Sequence, residues 1–137
     1  MADAAFHSLR VSALAPETDT ALSLEFEVPP ALAPVFAFRP GQYLTLRARI
    51  AGQELRRCYS ICSGLDEPRL RVAVKRIEGG VFSGWAHTAL RVGDVLEVAP
   101  PQGDFAVDPD AARARRYLCI AAGSGITPIL SIIKSVL

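Results

Sequence analysis

Apolar and polar positions alternate with a period of two through most of the first hundred or so residues. Leu9, Val11 and Ala13 mark one strand face, Leu22, Leu24, Phe26 and Val28 another, and Leu70, Val72 and Val74 a third. Residues 95–99 add a fourth segment. Successive side chains on a strand point to opposite faces, so each series predicts a strand with one side on a core. The clearest case is Leu44, Leu46, Ala48 and Ile50, then Ala51-Gly52, then a returning segment over residues 53–61, which reads as a β-hairpin. Pro29-Pro30, Pro40-Gly41, Glu78-Gly79-Gly80, Gly93-Asp94 and Pro100-Pro101 punctuate the pattern as turns. Short strands at this spacing predict a mainly β fold, an antiparallel barrel or Greek-key sheet.

The period changes in two places. Residues 81–90 place Phe82, Trp85, Ala86 and Leu90 on one face of a short helix, with Trp85 read as a core anchor. Residues 108–116 then form a charged, Ala-rich break that reads as an interdomain connection. After it, residues 117–122 are continuously apolar, as in a strand covered on both faces of a parallel sheet. Gly123-Ser124-Gly125 and a helix follow, with Thr127 expected as N-cap and Pro128 at the first helical position. This is the grammar of the first βα unit of a doubly wound nucleotide-binding domain. The expected division is a barrel domain over residues 1–108, then a linker and the first strand, loop and helix of an incomplete domain over 109–137. One βα unit cannot complete a parallel sheet. The apolar tail, with Ile129, Leu130, Ile132, Ile133 and Leu137, is therefore expected to be disordered, self-associated or exchanged between chains.

Composition removes several function classes. Fifteen Lys and Arg against fourteen Asp and Glu leave a net charge of +1, so no global field favours nucleic acid or an anionic membrane. The amino terminus lacks a basic segment followed by an apolar run, and no stretch approaches the ~18 apolar residues of a membrane helix. The protein is expected to be soluble and cytoplasmic. Cys58, Cys62 and Cys119 are an odd set without metal-ligand spacing, so packing thiols are expected and no metal site. His7 and His87 stand isolated and read as structural or surface residues.

Three segments carry candidate chemistry. In Arg57-Cys58-Tyr59-Ser60, residues two apart share a strand face, so Arg57 and Tyr59 should point the same way about 6 to 7 Å apart. An aromatic plane beside a guanidinium fork suits a flat ring with a phosphate tail, and Ser60 can offer a hydroxyl and an N–H to a ring nitrogen. The alternative is a solvated Arg beside a half-buried Tyr. Gly79-Gly80-Val81-Phe82-Ser83 sits where a strand meets a helix, where backbone N–H groups attract phosphate and Ser83 adds a hydroxyl. The alternative there is a turn with an N-cap serine. Residues at the end of Val72-Ala73-Val74-Lys75 could offer backbone groups to a cofactor, although Lys75 alone reads as a solvated edge residue. Gly123-Ser124-Gly125-Ile126-Thr127-Pro128 is a shortened glycine loop, compatible with nucleotide contact or with tight packing alone.

Taken in order, these pieces resemble the ferredoxin reductase superfamily. Arg57-Cys58-Tyr59-Ser60 is similar to its RxYS flavin motif, Gly80-Val81-Phe82-Ser83 to its GxxS pyrophosphate loop, and the Gly123 to Pro128 segment to the opening of its pyridine-nucleotide domain. Pro40-Gly41-Gln42-Tyr43 and Pro101-Gln102-Gly103-Asp104-Phe105 match further family positions. Arg56-Arg57-Cys58-Tyr59-Ser60-Ile61-Cys62-Ser63 and Leu70-Arg71-Val72-Ala73-Val74-Lys75-Arg76 are most similar to reductases of ring-oxygenating complexes in phenylacetate degradation.

The resemblance implies an antiparallel Greek-key FAD-binding barrel of an NAD(P)H-dependent flavin oxidoreductase. It implies that Arg57 holds the FAD pyrophosphate, that Tyr59 stacks on the isoalloxazine, and that Ser60 lies near the flavin N5. Tyr59 and Ser60 are thereby the catalytic candidates. Ile61, Ala73, Val74, Lys75, Gly80, Val81, Phe82 and Ser83 complete the cofactor-binding set, with Thr127 on the nicotinamide side. Gly123, Ser124, Gly125, Thr127 and Pro128 form the nucleotide loop. Electrons are expected to pass from NAD(P)H through FAD to an iron–sulfur acceptor serving an oxygenase, with a [2Fe–2S] cluster in the complete protein and no ligands for it in this chain. Two alternatives are an FMN-dependent relative and a non-enzymatic barrel acting as a binding or regulatory module.

Overall fold

The computed structural model describes residues 5–137. Residues 1–4, which open the expected 1–108 domain, lie outside the described residues. Six strands form the framework: β1 (His7–Pro16), β2 (Ala21–Glu27), β3 (Tyr43–Ile50), β4 (Gln53–Ser60), β5 (Leu70–Lys75) and β6 (Val95–Val98). They build one sheet in the order β4-β3-β6-β1-β2-β5, antiparallel throughout. The edges approach each other beyond the end of β4, where Ile61 bridges Val72 and the Cys62 N–H donates to the Arg71 carbonyl at 2.9 Å. That contact curls the sheet into a barrel.

Local chemistry sets the register. Ala51 and Gly52 have φ of 50° and 79°, the paired left-handed conformation of the tight turn that matches strand twist. The turn opposes Ile50 to Gln53, and the register runs from there to Tyr43 opposite Ser60. The alternating residues read from sequence are the ones buried: Leu9 and Val11, Leu24 and Phe26, Leu44 and Leu46, Val72 and Val74, Leu96 and Val98. Full burial of each such side chain contributes about 1.5 to 3 kcal/mol. Helix α1 (Val81–Thr88) caps this core with Phe82 and Ala86, and Leu90 follows, also buried. Trp85 is half-buried with its ring edge-on to Phe82 at 5.6 Å.

The two short motifs at 40–43 and 101–105 meet in space. Tyr43 bridges Gln102, the Gln42 side-chain amide donates to the Gly103 carbonyl at 3.2 Å, and the Val107 N–H donates to the Pro40 carbonyl at 2.9 Å. Arg39 forks onto Asp108 at 2.7 and 2.8 Å. Both side chains are largely exposed, so solvent screening leaves this pair little weight.

Two expectations in the tail are corrected. Residues 117–122 form no strand: a ladder needs a neighbouring backbone, and none pairs with this segment among the described residues. Leu118 and Ile120 are 88% and 82% exposed. Thr127 is not an N-cap. A single 3-10 turn, Gly123–Gly125, runs directly into helix α2 (Ile126–Val136), leaving Gly125 at the cap position and Thr127 and Pro128 inside the first turn. The Thr127 hydroxyl instead donates back to the Ser124 carbonyl at 3.0 Å. Helix α2 is docked on the barrel, with Ile129 and Ile132 buried. No helix among the described residues is long and apolar enough to cross a membrane.

Candidate functional site

Strand β5 ends the sheet, and its backbone supplies one wall of a cleft. The Arg76 N–H donates to the Thr20 carbonyl at 2.6 Å, which fixes the phase of the β2–β5 ladder. Hydrogen-bonding direction alternates along an antiparallel strand, so Arg71, Ala73 and Lys75 turn their backbone groups away from β2. Val74 faces the other way: its side chain is fully buried, and its carbonyl oxygen lies 2.9 Å from Nε2 of His87. The outward backbone and the end of β4 enclose an open cleft of about 650 Å³, within the usual size range for small-molecule sites.

Tyr59 and Ser60 reach this cleft from β4, and Gly123, Ser124 and Thr127 reach it from the turn leading into α2. The Tyr59 ring is half-buried and packs on Phe82 with centroids 5.9 Å apart and a 37° tilt. Burial pushes the phenol pKa up, and the nearby Arg57 charge only partly opposes this. The phenol is thus neutral across the physiological range. Neither the Tyr59 nor the Ser60 hydroxyl has a hydrogen-bond partner among the described residues. Two hydroxyls open to the cleft beside a flat aromatic face are well suited to a planar ligand with polar ring atoms.

Several expected site residues occupy positions other than the cleft wall. Arg57 and Tyr59 do share a face, opposing Leu46 and Leu44 of β3. Yet the Arg57 side chain is exposed and folds back, its Nη1 donating to the Arg56 carbonyl at 2.7 Å. Ile61 is fully buried and Phe82 is in the core, which leaves their backbones as the groups able to meet a ligand. Ser83 is buried as well, and its hydroxyl accepts the Ile77 N–H at 3.1 Å. It braces the Gly79-Gly80 loop from within, and the helix cap is Gly80 rather than a serine. Gly79 and Gly80 line a second hollow with Arg76 and Gly84, and Ile77 belongs to the walls of both hollows.

Sequence reasoning missed part of the wall. Cys58 is exposed in the cleft, its sulfur 3.5 Å from the Thr45 hydroxyl, while Cys62 is buried and burial raises its thiol pKa. Arg71 also lines the cleft, held by Glu25 on the neighbouring strand at 2.8 Å. The signal for that pair is Glu25 opposing Arg71 in register, which requires the strand pairing to be known. Among the described residues no group of three or more His, Cys, Asp or Glu side chains is placed to hold a metal ion.

Residues 14–107 match the family of the oxidoreductase FAD-binding domain. The chain belongs to that family. This FAD-binding domain is 53% identical over 132 residues to a component of the 1,2-phenylacetyl-CoA epoxidase of Escherichia coli strain K12, covering 96% of this chain and 37% of that protein. It is 42% identical over 134 residues to the ferredoxin reductase component of 3-ketosteroid-9-alpha-monooxygenase from Rhodococcus rhodochrous, covering 94% of this chain and 36% of the relative. The chain thus spans little more than a third of these curated relatives.

Solved structures agree. The flavohem-like FAD/NAD binding domain of nitric oxide dioxygenase from Vibrio cholerae O1 biovar El Tor superposes with a TM-score of 0.79 at 28% identity, covering 93% of this chain and 55% of that one. Phthalate dioxygenase reductase, a modular structure for electron transfer from pyridine nucleotides to [2Fe–2S], superposes with a TM-score of 0.78 at 31% identity, covering 95% of this chain and 39% of the other. The mainly β antiparallel architecture, the oxidoreductase class and FAD as the family's cofactor stand as the sequence led one to expect.

Proposed function

We propose that this chain is the flavin-binding part of an NAD(P)H-dependent oxidoreductase in which electrons pass from NAD(P)H through FAD to an iron–sulfur centre serving an oxygenase, in phenylacetate degradation. One observation carries the reading: the half-buried Tyr59 ring and Ser60, with unpartnered hydroxyls, share a cleft with the glycine turn of Gly123 and Ser124. The likeness to the epoxidase component supports the pathway and the oxygenase partner.

Tyr59 offers its ring face to the isoalloxazine, and Ser60 offers a hydroxyl to a ring nitrogen. Arg57 holds the pyrophosphate by exchanging a single bond to the Arg56 carbonyl for charge-assisted bonds to phosphate oxygens. Val81 and Phe82 present backbone N–H groups at the start of α1; Gly80, whose own N–H is taken by the Ile77 carbonyl at 2.8 Å, shapes the loop with Ser83 so that phosphate can approach them. Ala73 and Lys75 frame the ring through the outward backbone of β5, and the buried Val74 and Ile61 back that wall from the core side. Gly123, Ser124, Gly125, Thr127 and Pro128 form the side from which the nicotinamide approaches. When bound, FAD supplies the redox chemistry, accepting a hydride and releasing single electrons; the protein orients it and tunes its surroundings.

Residues 1–108 act as the FAD-binding unit and 109–137 as the linker and entry to a nucleotide-binding unit. We place the protein in the cytoplasm, in keeping with three free cysteines. Its partners are NAD(P)H and an oxygenase component or iron–sulfur acceptor, without nucleic acid or membrane. The exposed Tyr117, Leu118 and Ile120 offer a surface for self-association.

Reconstitution tests the reading. The folded chain should take up FAD and show flavin absorbance, and mass analysis of the released cofactor should return FAD rather than FMN. Arg57→Ala should weaken binding by about tenfold or more, the scale of lost hydrogen bonds to a charged group. Absence of uptake of either flavin by folded protein overturns it.

A further inference from the structure

The cleft has two walls from distant parts of the chain, and a buried hydrogen bond joins them. Ser131 of α2 is fully buried, and its hydroxyl donates to the Ser63 carbonyl at 2.7 Å. Ser63 is fully buried too, and its own hydroxyl accepts the Arg71 N–H at 3.1 Å. The segment just past Ser60 is therefore tied to β5 on one side and to α2 on the other. A ring of supporting contacts surrounds this point. The Leu65 N–H donates to the Ser135 hydroxyl at 3.1 Å, and Lys134 Nζ pairs with Glu67 at 3.0 Å. Helix and loop also lie flush: a Cβ at Gly64 would come within 2.7 Å of the Lys134 Cβ.

Ser63 lies three residues after Ser60, and Ser131 lies four after Thr127, about one helical turn. The segment before α2 holds no strand, and Gly123 has a φ of 55°, so the backbone there gives the turn little independent anchorage. We propose that Ser131 is a positioning residue, whose bond to the Ser63 carbonyl holds Thr127 and the glycine turn at a fixed distance from Ser60 across the cleft. The hydroxyl acts through geometry and touches neither cofactor nor substrate. This deepens the flavin reading, but the pin itself is a property of the polypeptide with or without cofactor.

Two measurements separate those claims. Cys62 lines the cleft beside Leu130 and Lys134 of α2 and is only 7% exposed, whereas Cys58 is exposed. Removing the pin should open α2 and expose Cys62. In the full chain without flavin, Ser131→Val should raise the iodoacetamide alkylation rate of Cys62 about tenfold, because a lost bond leaves a buried carbonyl unpartnered in the closed state. Cys58 should be unchanged and Ser131→Thr, which keeps the hydroxyl, should restore protection. With FAD bound, Ser131→Val should alter the visible circular dichroism of the flavin while its dissociation constant moves less than about threefold, as expected for a change in placement rather than grip.

Cys62 reactivity unchanged in Ser131→Val, or not restored by Ser131→Thr, overturns the positioning role. If Ser131→Val does not fold, Ser131→Ala supplies the same thiol test, since it removes the hydroxyl without adding bulk; unchanged protection there also overturns the proposal. Failure of the parent chain to bind any flavin sinks the functional reading and leaves the thiol result to judge the pin alone.

Discussion

No side chain fits between Gly41 and Phe105: Gly41 has a φ of 108°, and a Cβ there would overlap the Phe105 carbonyl. The two stretches that meet here are 64 residues apart in the chain, and the Gly41 turn lets the later one cross the start of β3. Gly41→Ala should therefore cost more than about 2 kcal/mol, combining the left-handed penalty with a backbone clash. Gly52→Ala, also left-handed at 79° but with open space around it, should cost only about 1 kcal/mol. Urea unfolding of both variants checks the contrast; equal losses would remove the clash from the argument.

Glu25 links three strands' worth of polar groups, bonding Arg71 at 2.8 Å and receiving the Ser12 hydroxyl at 3.1 Å. The Arg71 bond, above all, holds its carboxyl below the ordinary value of 4.5, and Ser12 assists. A lowered folded pKa means the stabilisation is fully present above the unfolded value and is lost as pH falls through the folded one. Stability should thus decline as pH drops below about 4.5. Glu25→Gln should flatten that part of the stability curve measured by denaturant titration at stepped pH.

The framework of the fold was legible because it rests on local signals. Leu44, Leu46 and Ala48 alternate, Ala51-Gly52 turns the chain, and the hairpin follows from those facts alone. The two departures share a cause. Residues 117–122 have the composition of a buried strand, but pairing is a property of two segments, and composition reports only one. Thr127 and Pro128 carry helix-start chemistry, yet the glycine turn ahead of them winds directly into α2 and shifts the cap to Gly125. At the site, Arg57 and Tyr59 were readable as chemistry facing one way. Ser63 and Ser131 were not: an ordinary serine gains meaning only when folding buries it against a distant carbonyl.

Tyr59 should ionise late. Burial raises its pKa above the ordinary 10.0, so the folded state holds the proton more tightly than the unfolded state does. That contribution is present below pH 10.0 and is lost as pH rises through the folded value. An ultraviolet difference titration should show a tyrosine phase above pH 10.0, and Tyr59→Phe should remove it. A single phase unchanged by that substitution would contradict the half-buried ring.

Ser83 should matter through its loop. Ser83→Ala deprives the Ile77 N–H of its acceptor, which costs about 1 to 3 kcal/mol in a protected site. If the Gly79-Gly80 hollow takes the pyrophosphate, flavin affinity should fall with it. Ser83→Thr, which keeps the acceptor, should retain more of both. Isothermal titration with FAD, alongside thermal melting, distinguishes loop loosening from global loss.

The Ser63–Ser131 bond spans 68 residues. At synthesis rates of about 5 to 20 residues per second, its two halves leave the ribosome roughly 3 to 14 seconds apart. During that interval the Tyr59 side of the cleft can fold while the α2 side does not yet exist. A newborn chain therefore presents an open platform before it presents an enclosed cleft, and if the cleft is the flavin seat proposed above, the order of translation gives the cofactor an unobstructed route to it.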